Sequence, residues 1–221
     1  MTRNSPFIIW PNRLRAKSKT KLNEPDTVTT SISEKPAPVR LRAPLDQKVL
    51  ASLQSGQEVL ISGQLVAARD QAHKRLLDLA RESKPWPFDP KGQIIYYVGP
   101  SPAPPGRIIG AAGPTTAGRM DKMTSPFLER GVKALLGKGR RSAEVLEALK
   151  NHGAVYLAAV GGAGAFYGNL IKKSTVLAWP ELGPEALVSL EVSDFPAIVV
   201  FDLHGSDLYQ SGPQDWRDSQ K

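Results

Sequence analysis

Short apolar runs recur along this chain at intervals that leave room for a helix between them, and this alternation constrains the fold most. Val59-Leu60-Ile61-Ser62-Gly63 and Leu65-Val66-Ala67-Ala68 follow Gly56 and read as a strand with a glycine-marked bend. Over Asp70–Arg81 the side chains of Ala72, Leu76 and Leu79 share one helical face, with Leu77 and Ala80 beside them, so the spacing predicts a helix. A turn rich in proline (Pro85, Pro87, Pro90) leads to a buried-looking strand, Ile94-Ile95-Tyr96-Tyr97-Val98, which Gly99-Pro100 ends. Ser125-Pro126 predicts a second helix with Phe127, Leu128, Val132, Leu135 and Leu136 as its stripe and Gly137 as its end. Ser142 caps a third, with Val145, Leu146 and Leu149 inward and Gly153 as its stop. Residues 155–160, 175–179 and 197–201 are further strands, the last followed by a turn at His204-Gly205. Strands alternating with helices predict an α/β fold. There is no internal repeat, and one domain over residues 43–212 suffices, followed by a tail at 213–221.

Composition narrows the chemistry. With no cysteine in 221 residues, the chain makes no disulfide, thiolate zinc site or catalytic thiol, and cannot alone hold an all-thiolate iron–sulfur cluster. The three histidines, His73, His152 and His204, lack a ligand spacing. No apolar run approaches the roughly 18–20 residues a spanning helix needs, so no membrane role is expected. Phe7 to Trp10 is too short for a secretory core, and the expected location is cytoplasmic.

The formal charge of +8 points to nucleic acid only until its distribution is read. Residues 1–42 carry 9 of the 29 basic side chains but 3 of the 21 acidic ones, so the remainder is close to neutral. This basic segment, rich in Pro, Ser, Thr and Lys without a hydrophobic period, reads as an extended or disordered arm. It suits wrapping a partner, an address signal or a solvated tail. Aromatic residues interleaved with bases, expected of a single-strand binder, are missing, so no nucleic-acid partner is expected.

Residues 101–118 have almost no periodicity and many Pro and Gly residues, and a loop that long in a compact domain is functional or disordered. Its end, Gly113-Pro114-Thr115-Thr116-Ala117-Gly118-Arg119-Met120-Asp121, combines an irregular backbone, two hydroxyls and a guanidinium. That suits a carboxylate or phosphate, though a capped surface turn has the same composition. Arg69-Asp70-Gln71-Ala72-His73-Lys74-Arg75 sits at a strand-to-helix junction, where α/β proteins bind ligands. Charges in a first helical turn are also often just solvated, and Asp70 favours the helix N-terminus. Gly137-Lys138-Gly139-Arg140-Arg141-Ser142 lacks the Walker spacing. Gly161-Gly162-Ala163-Gly164 is half a dinucleotide fingerprint and better suits close packing or a tight turn. Basic residues in three loops with hydroxyls nearby favour a small dianion.

Six segments in order over residues 45–210 resemble the C-terminal, β-type domain of class I fumarases. They are 69–75, Gly92-Gln93-Ile94-Ile95-Tyr96-Tyr97-Val98-Gly99-Pro100, 113–121, 137–142, Pro180-Glu181-Leu182-Gly183 and Val192-Ser193-Asp194-Phe195-Pro196-Ala197. The resemblance implies a three-layer β/β/α "swivelling" domain and a partner α subunit whose cysteines carry a [4Fe-4S] cluster, the whole being a hetero-oligomer. It implies reversible addition of water to fumarate giving (S)-malate, with the open iron as Lewis acid. Arg69, Arg119 and Lys138 would bind the substrate carboxylates of this small dicarboxylate and stabilise the developing aci-carboxylate. Thr115 would be the base, needing an activating carboxylate from the α subunit. Thr116, His73 and Asp121 are secondary candidates, the last two as supporting or structural residues.

The chain departs from the family pattern at two points. Lys-Gly-Asn-Arg-Ser reads Lys138-Gly139-Arg140-Arg141-Ser142 here, and the stretch between Arg119 and Lys138 is one residue shorter. L(+)-tartrate dehydratase β subunits share the architecture but follow Gly-Pro-Thr-Thr with Ser-Met-Arg-Met-Glu. Ala117-Gly118-Arg119-Met120-Asp121 is the fumarase form. A non-catalytic stabilising subunit is the alternative of another class, and retention of all three cations and Thr115 opposes it.

Overall fold

Every second side chain of the central strands faces a different core, and this determines how the layers stack. The computed structural model describes residues 36–220. Most of the expected basic arm, residues 1–35, lies outside them. The strands are β1 (Val39–Ala43), β2 (Glu58–Ala67), β3 (Ile94–Tyr96), β4 (Ala134–Gly137), β5 (Val155–Ala158), β6 (Ile171–Ala178) and β7 (Leu187–Phe201). Their order is β1-β2-β3-β4-β5-β7-β6, and β2 also pairs with β7, so the run from β2 to β7 returns upon itself. The first five strands are mutually parallel, whereas β7 is antiparallel to β2, β5 and β6.

Ile94, Tyr96, Leu136, Val155 and Leu157 enter one core together with Leu190, Phe195 and Val199 of β7. Ile95, Tyr97, Leu135 and Tyr156 enter the other, beneath the helices α2 (Asp70–Arg81) and α4 (Ala143–Asn151). Burying a large apolar side chain stabilises by about 1.5–3 kcal/mol, so both faces contribute to holding the strands together. Parallel strands covered on both faces must be apolar throughout, which explains the uninterrupted Ile94-Ile95-Tyr96-Tyr97-Val98.

The α/β class, the bent strand β2 and helix α2 match expectation. At the bend, Gly63 adopts φ +107°, and the β2–β7 register shifts between Ile61 and Gly63. Asp194 on β7, also at positive φ, takes its backbone N–H to the Ser62 hydroxyl at 3.0 Å, so the two strands bend together.

Four expectations require correction. The helix expected from Ser125 to Leu136 stops at Glu129 as α3, and residues 134–137 are strand β4. Gly131 at φ +95° turns the chain, and a fully buried strand shows the same unbroken apolar pattern as a buried helix face. Second, the domain begins before residue 43, because Val39–Ala43 pairs with β2, turning Arg40 and Arg42 outward and Leu41 and Ala43 inward. Third, residues 213–219 of the expected tail form the second half of helix α6 (Leu208–Ser219). Fourth, strand β7 extends ten residues upstream of the expected start at 197. The remaining helices are α1 (Gln47–Ala51) and α5 (Gly164–Leu170), with 3-10 turns over Ala117–Met123 and Pro180–Glu185.

A methyl group at residue 63 would stand 2.5 Å from the Ala43 carbonyl oxygen, on a backbone that L side chains rarely adopt. Gly63→Ala is therefore expected to lower the unfolding free energy by about 3 kcal/mol. Urea denaturation monitored by circular dichroism measures this, and a loss below roughly 0.5 kcal/mol would contradict the constraint.

Candidate active site

The parallel strands β2, β3 and β4 end at one edge of the sheet, and the segments predicted to carry chemistry leave from that edge. This is the side on which open α/β sheets bind ligands. Arg69 follows β2 at the N-cap of α2, with extended backbone. Its side chain crosses Gly99, just beyond β3, where an added Cβ would lie 2.2 Å from Nη1. Only glycine leaves room for that crossing. The Arg69 Nη2 donates to Glu185 Oε1 at 2.9 Å, and the Gln71 backbone N–H donates to Glu185 Oε2 at 2.9 Å.

Arg119, on the 3-10 turn Ala117–Met123, reaches the same place. Its Nε donates to Asp70 Oδ1 at 3.2 Å and its Nη2 to Asp70 Oδ2 at 2.7 Å. Asp70 Oδ2 also lies 3.5 Å from Arg69 Nε, so one carboxylate joins two arginines from separate segments. Partial burial pushes the Asp70 carboxyl up, but the bond from Arg119, its own backbone N–H and the charges of Arg119 and Arg69 outweigh this and hold it below the usual range. Partly exposed ion pairs contribute about 0.2–1 kcal/mol each, so these contacts orient guanidiniums more than they stabilise the fold.

Thr115, Thr116 and Lys138 come together through the backbone. The Thr115 N–H donates to Tyr97 O at 2.7 Å, Lys138 N–H to Thr115 O at 3.2 Å, and Ala117 N–H to Lys138 O at 2.9 Å. Thr116 and Lys138 form a parallel bridge. Thr115 is half-buried and Thr116 exposed. The Lys138 side chain lies along Gly161, where an added Cβ would stand 3.5 Å from Nζ. Among the described residues no carboxylate is paired with Lys138, unlike the two arginines.

The two ends of the long segment 101–118 are tied to the domain. Tyr96 Oη donates to Ala112 O at 2.6 Å, Ser101 and Ala111 bond each other, and Val98 bridges Pro114. Gly164, from the half-fingerprint, packs backbone to backbone against Gly113, which answers to the close-packing reading.

His73 and Asp121 stand behind the edge. His73 is fully buried, stacks on Phe127 at 4.3 Å, and bonds the Arg69 carbonyl through Nδ1 at 3.1 Å. Burial pushes its pKa down to about 3, against the opposing hydrogen bond to Arg69. The Asp121 carboxylate accepts from Arg141 Nε and from the Ser142 N–H, each at 2.7 Å. Arg141 also donates to Thr124 Oγ1 at 2.8 Å and lies over the Tyr97 and Tyr156 rings. Arg140, the departure from the family pattern, turns to α6 and donates to Tyr209 O at 2.9 Å.

Sequence reasoning missed Glu185 and Arg141 as organising residues and gave Asp70 only a helix-end role. Their partners lie 116, 20 and 49 positions away, and no local pattern encodes such pairs.

The fold and edge define an α/β domain presenting three cations and two hydroxyls from neighbouring loops, a set suited to a small polyanion. The chain belongs to the fumarase C-terminus family, whose sequence profile matches residues 9–212. Fumarate hydratase 2 of Leishmania major is 40% identical over 189 residues, covering 84% of this chain and 33% of that protein. The anaerobic class I fumarate hydratase of Escherichia coli (strain K12) is 38% identical over 177 residues, covering 78% and 32%. A Methanocaldococcus jannaschii protein, provisionally named L(+)-tartrate dehydratase subunit beta, is 36% identical over 172 residues, covering 75% and 88%. The chain thus spans about a third of the fumarate hydratases it matches and most of the Methanocaldococcus protein.

Class I fumarate hydratases imply an iron–sulfur cluster, and this chain's residues do not fit one. It has no cysteine, and among the described residues no group of three or more His, Cys, Asp or Glu is placed to hold a metal ion. No described helix is long and apolar enough to cross a membrane.

A histidine neutral when folded, with pKa about 3 against 6.5 unfolded, makes the unfolded chain bind more protons across that window. Stability is complete above pH 6.5 and falls as pH drops toward 3. Between pH 7.5 and 5 this residue alone should remove about 2 kcal/mol. Urea melts of the wild type and His73→Leu at both values measure it. Equal pH losses in the two proteins would refute the assignment.

Proposed function

We propose that this chain is the β-type subunit of a [4Fe-4S]-dependent fumarate hydratase, acting with a cluster-bearing α subunit on the reversible hydration of fumarate to (S)-malate. The observation that carries the reading is the pairing of Arg69 and Arg119 through Asp70 at the strand edge from which Thr115 and Lys138 also leave. Family membership supports it, as does the 36% identity to most of a protein named as a β subunit. The finer architecture, a three-layer β/β/α swivelling domain, is supported by helices on one face of the parallel strands and β7 on the other.

In the dehydration direction a proton leaves the carbon beside one carboxylate, and hydroxide leaves the neighbouring carbon. Negative charge accumulates on that carboxylate, where fixed cations lower the barrier. Arg69, Arg119 and Lys138 fill that role and hold both ends of the diacid. Thr115 faces the carbon as the base, with a carboxylate of the α subunit drawing its proton. A cluster would be ligated by that subunit, since this chain has no cysteine. Fumarate is preferred over tartrate because Ala117-Gly118-Arg119-Met120-Asp121 has the fumarase form.

The isolated chain should be colourless and inactive. Anaerobic co-purification with a cluster-bearing partner should give an enzyme that converts fumarate to (S)-malate. Turnover of L-tartrate with none of fumarate would replace the substrate, and activity from this polypeptide alone would overturn the mechanism. Arg119→Ala should lower kcat/KM by roughly 100-fold or more at unchanged melting temperature. Wild-type kinetics in that variant would remove Arg119 from the site.

A further inference from the structure

Asp70 is the one described carboxylate that touches both candidate carboxylate-binding arginines. Arg119 is 45% exposed in its side chain, and its described ion pair is with Asp70. Arg69 is held separately, by Glu185 and by the close crossing of Gly99. Asp70 is itself fixed, as the first residue of α2, whose Ala72, His73 and Leu76 are fully buried.

We propose that Asp70 is a positioning residue for dicarboxylate recognition. It grips Arg119 along the Nε–Nη2 edge and leaves the remaining N–H groups of that guanidinium, beside those of Arg69, for a ligand carboxylate. This deepens the preceding reading and rests on it.

Two physical effects support the role. A guanidinium carries five N–H donors in a rigid fork, and Asp70 uses two, so three remain. A long exposed side chain otherwise loses its rotamer freedom when ligand binds, and fixing it beforehand removes that penalty. Asp70 also offsets the repulsion between two neighbouring cations while no ligand is present. The competing role, a negative charge at a helix N-terminus, would act on stability alone.

The test uses the assembled wild-type enzyme and its Asp70→Asn and Asp70→Glu forms, with kinetics on fumarate and inhibition by succinate. For Asp70→Asn, KM and the succinate inhibition constant should both rise roughly tenfold, with a smaller fall in kcat and a melting temperature within a few degrees. Asp70→Glu should recover part of the KM loss. In an Arg119→Ala background, Asp70→Asn should add little, because its effect runs through Arg119. KM and inhibition constant within twofold of wild type in Asp70→Asn would overturn the proposal. So would full additivity with Arg119→Ala, or a loss confined to kcat with a lowered melting temperature. A wild-type complex inactive on fumarate would instead defeat the functional reading.

Discussion

A guanidinium with 0% side-chain exposure sits where the loops carrying Thr115, Arg119 and Lys138 meet, and the geometry of the candidate site depends on it. Burying a charge is tolerable only when it is paired and its donors are satisfied. Burial works against the Arg141 cation, but Tyr97 and Asp121 outweigh that and keep its pKa above the usual value. Asp121 ends the segment that carries Thr115 and Arg119, while Arg141 and Ser142 end the segment that carries Lys138. Removing one partner of such a pair costs about 3–5 kcal/mol, so the loops are locked together at their far ends. Backbone bonds between Thr115, Ala117 and Lys138 lock them again at the near ends. With both ends fixed, the backbone positions of Thr115, Arg119 and Lys138 keep their relation to one another, and Asp70 then orients the Arg119 side chain.

The same lock explains how the chain accommodates its departure from the family pattern. Within Lys138-Gly139-Arg140-Arg141-Ser142, the positions that bond Asp121 are Arg141 and Ser142, and both retain the family residue. The position that differs, Arg140, faces the other way and meets Tyr209 of α6. Gly139 is held there too, by its N–H to the Tyr209 hydroxyl and its carbonyl to the Tyr156 hydroxyl. An added cation is thereby directed away from Lys138.

Much of the scaffold was legible because its signals are local. Helix α2 shows a 3.6-residue period over its full length, and the bend of β2 is written as glycine between two apolar runs. Strand β4 was illegible for a physical reason: buried on both faces, Ala134–Gly137 shows no alternation and so continues the stripe of α3. Strand β1 carried an alternation in Arg40 and Arg42, but a basic context disguised it. In β7, Pro196 and the positive-φ Asp194 interrupt what is a single bent strand. For the candidate site, the cations and Thr115 stand in short motifs that the sequence displays. The carboxylates that hold the arginines do not, because pairing across the fold leaves no mark in spacing.

Arg69 and Arg119 are each held on one edge by a carboxylate from this chain, whereas Lys138 has none among the described residues. Three cations against Asp70 and Glu185 leave a single positive charge, which is too little to neutralise a dianion by itself. On the proposed reading the balance must come from the facing subunit, which would also supply the metal ligands this chain lacks. Recognition and electrophilic activation would then reside on different polypeptides. The two arginines of this edge are preorganised, because each is already paired with a carboxylate before any ligand or partner arrives.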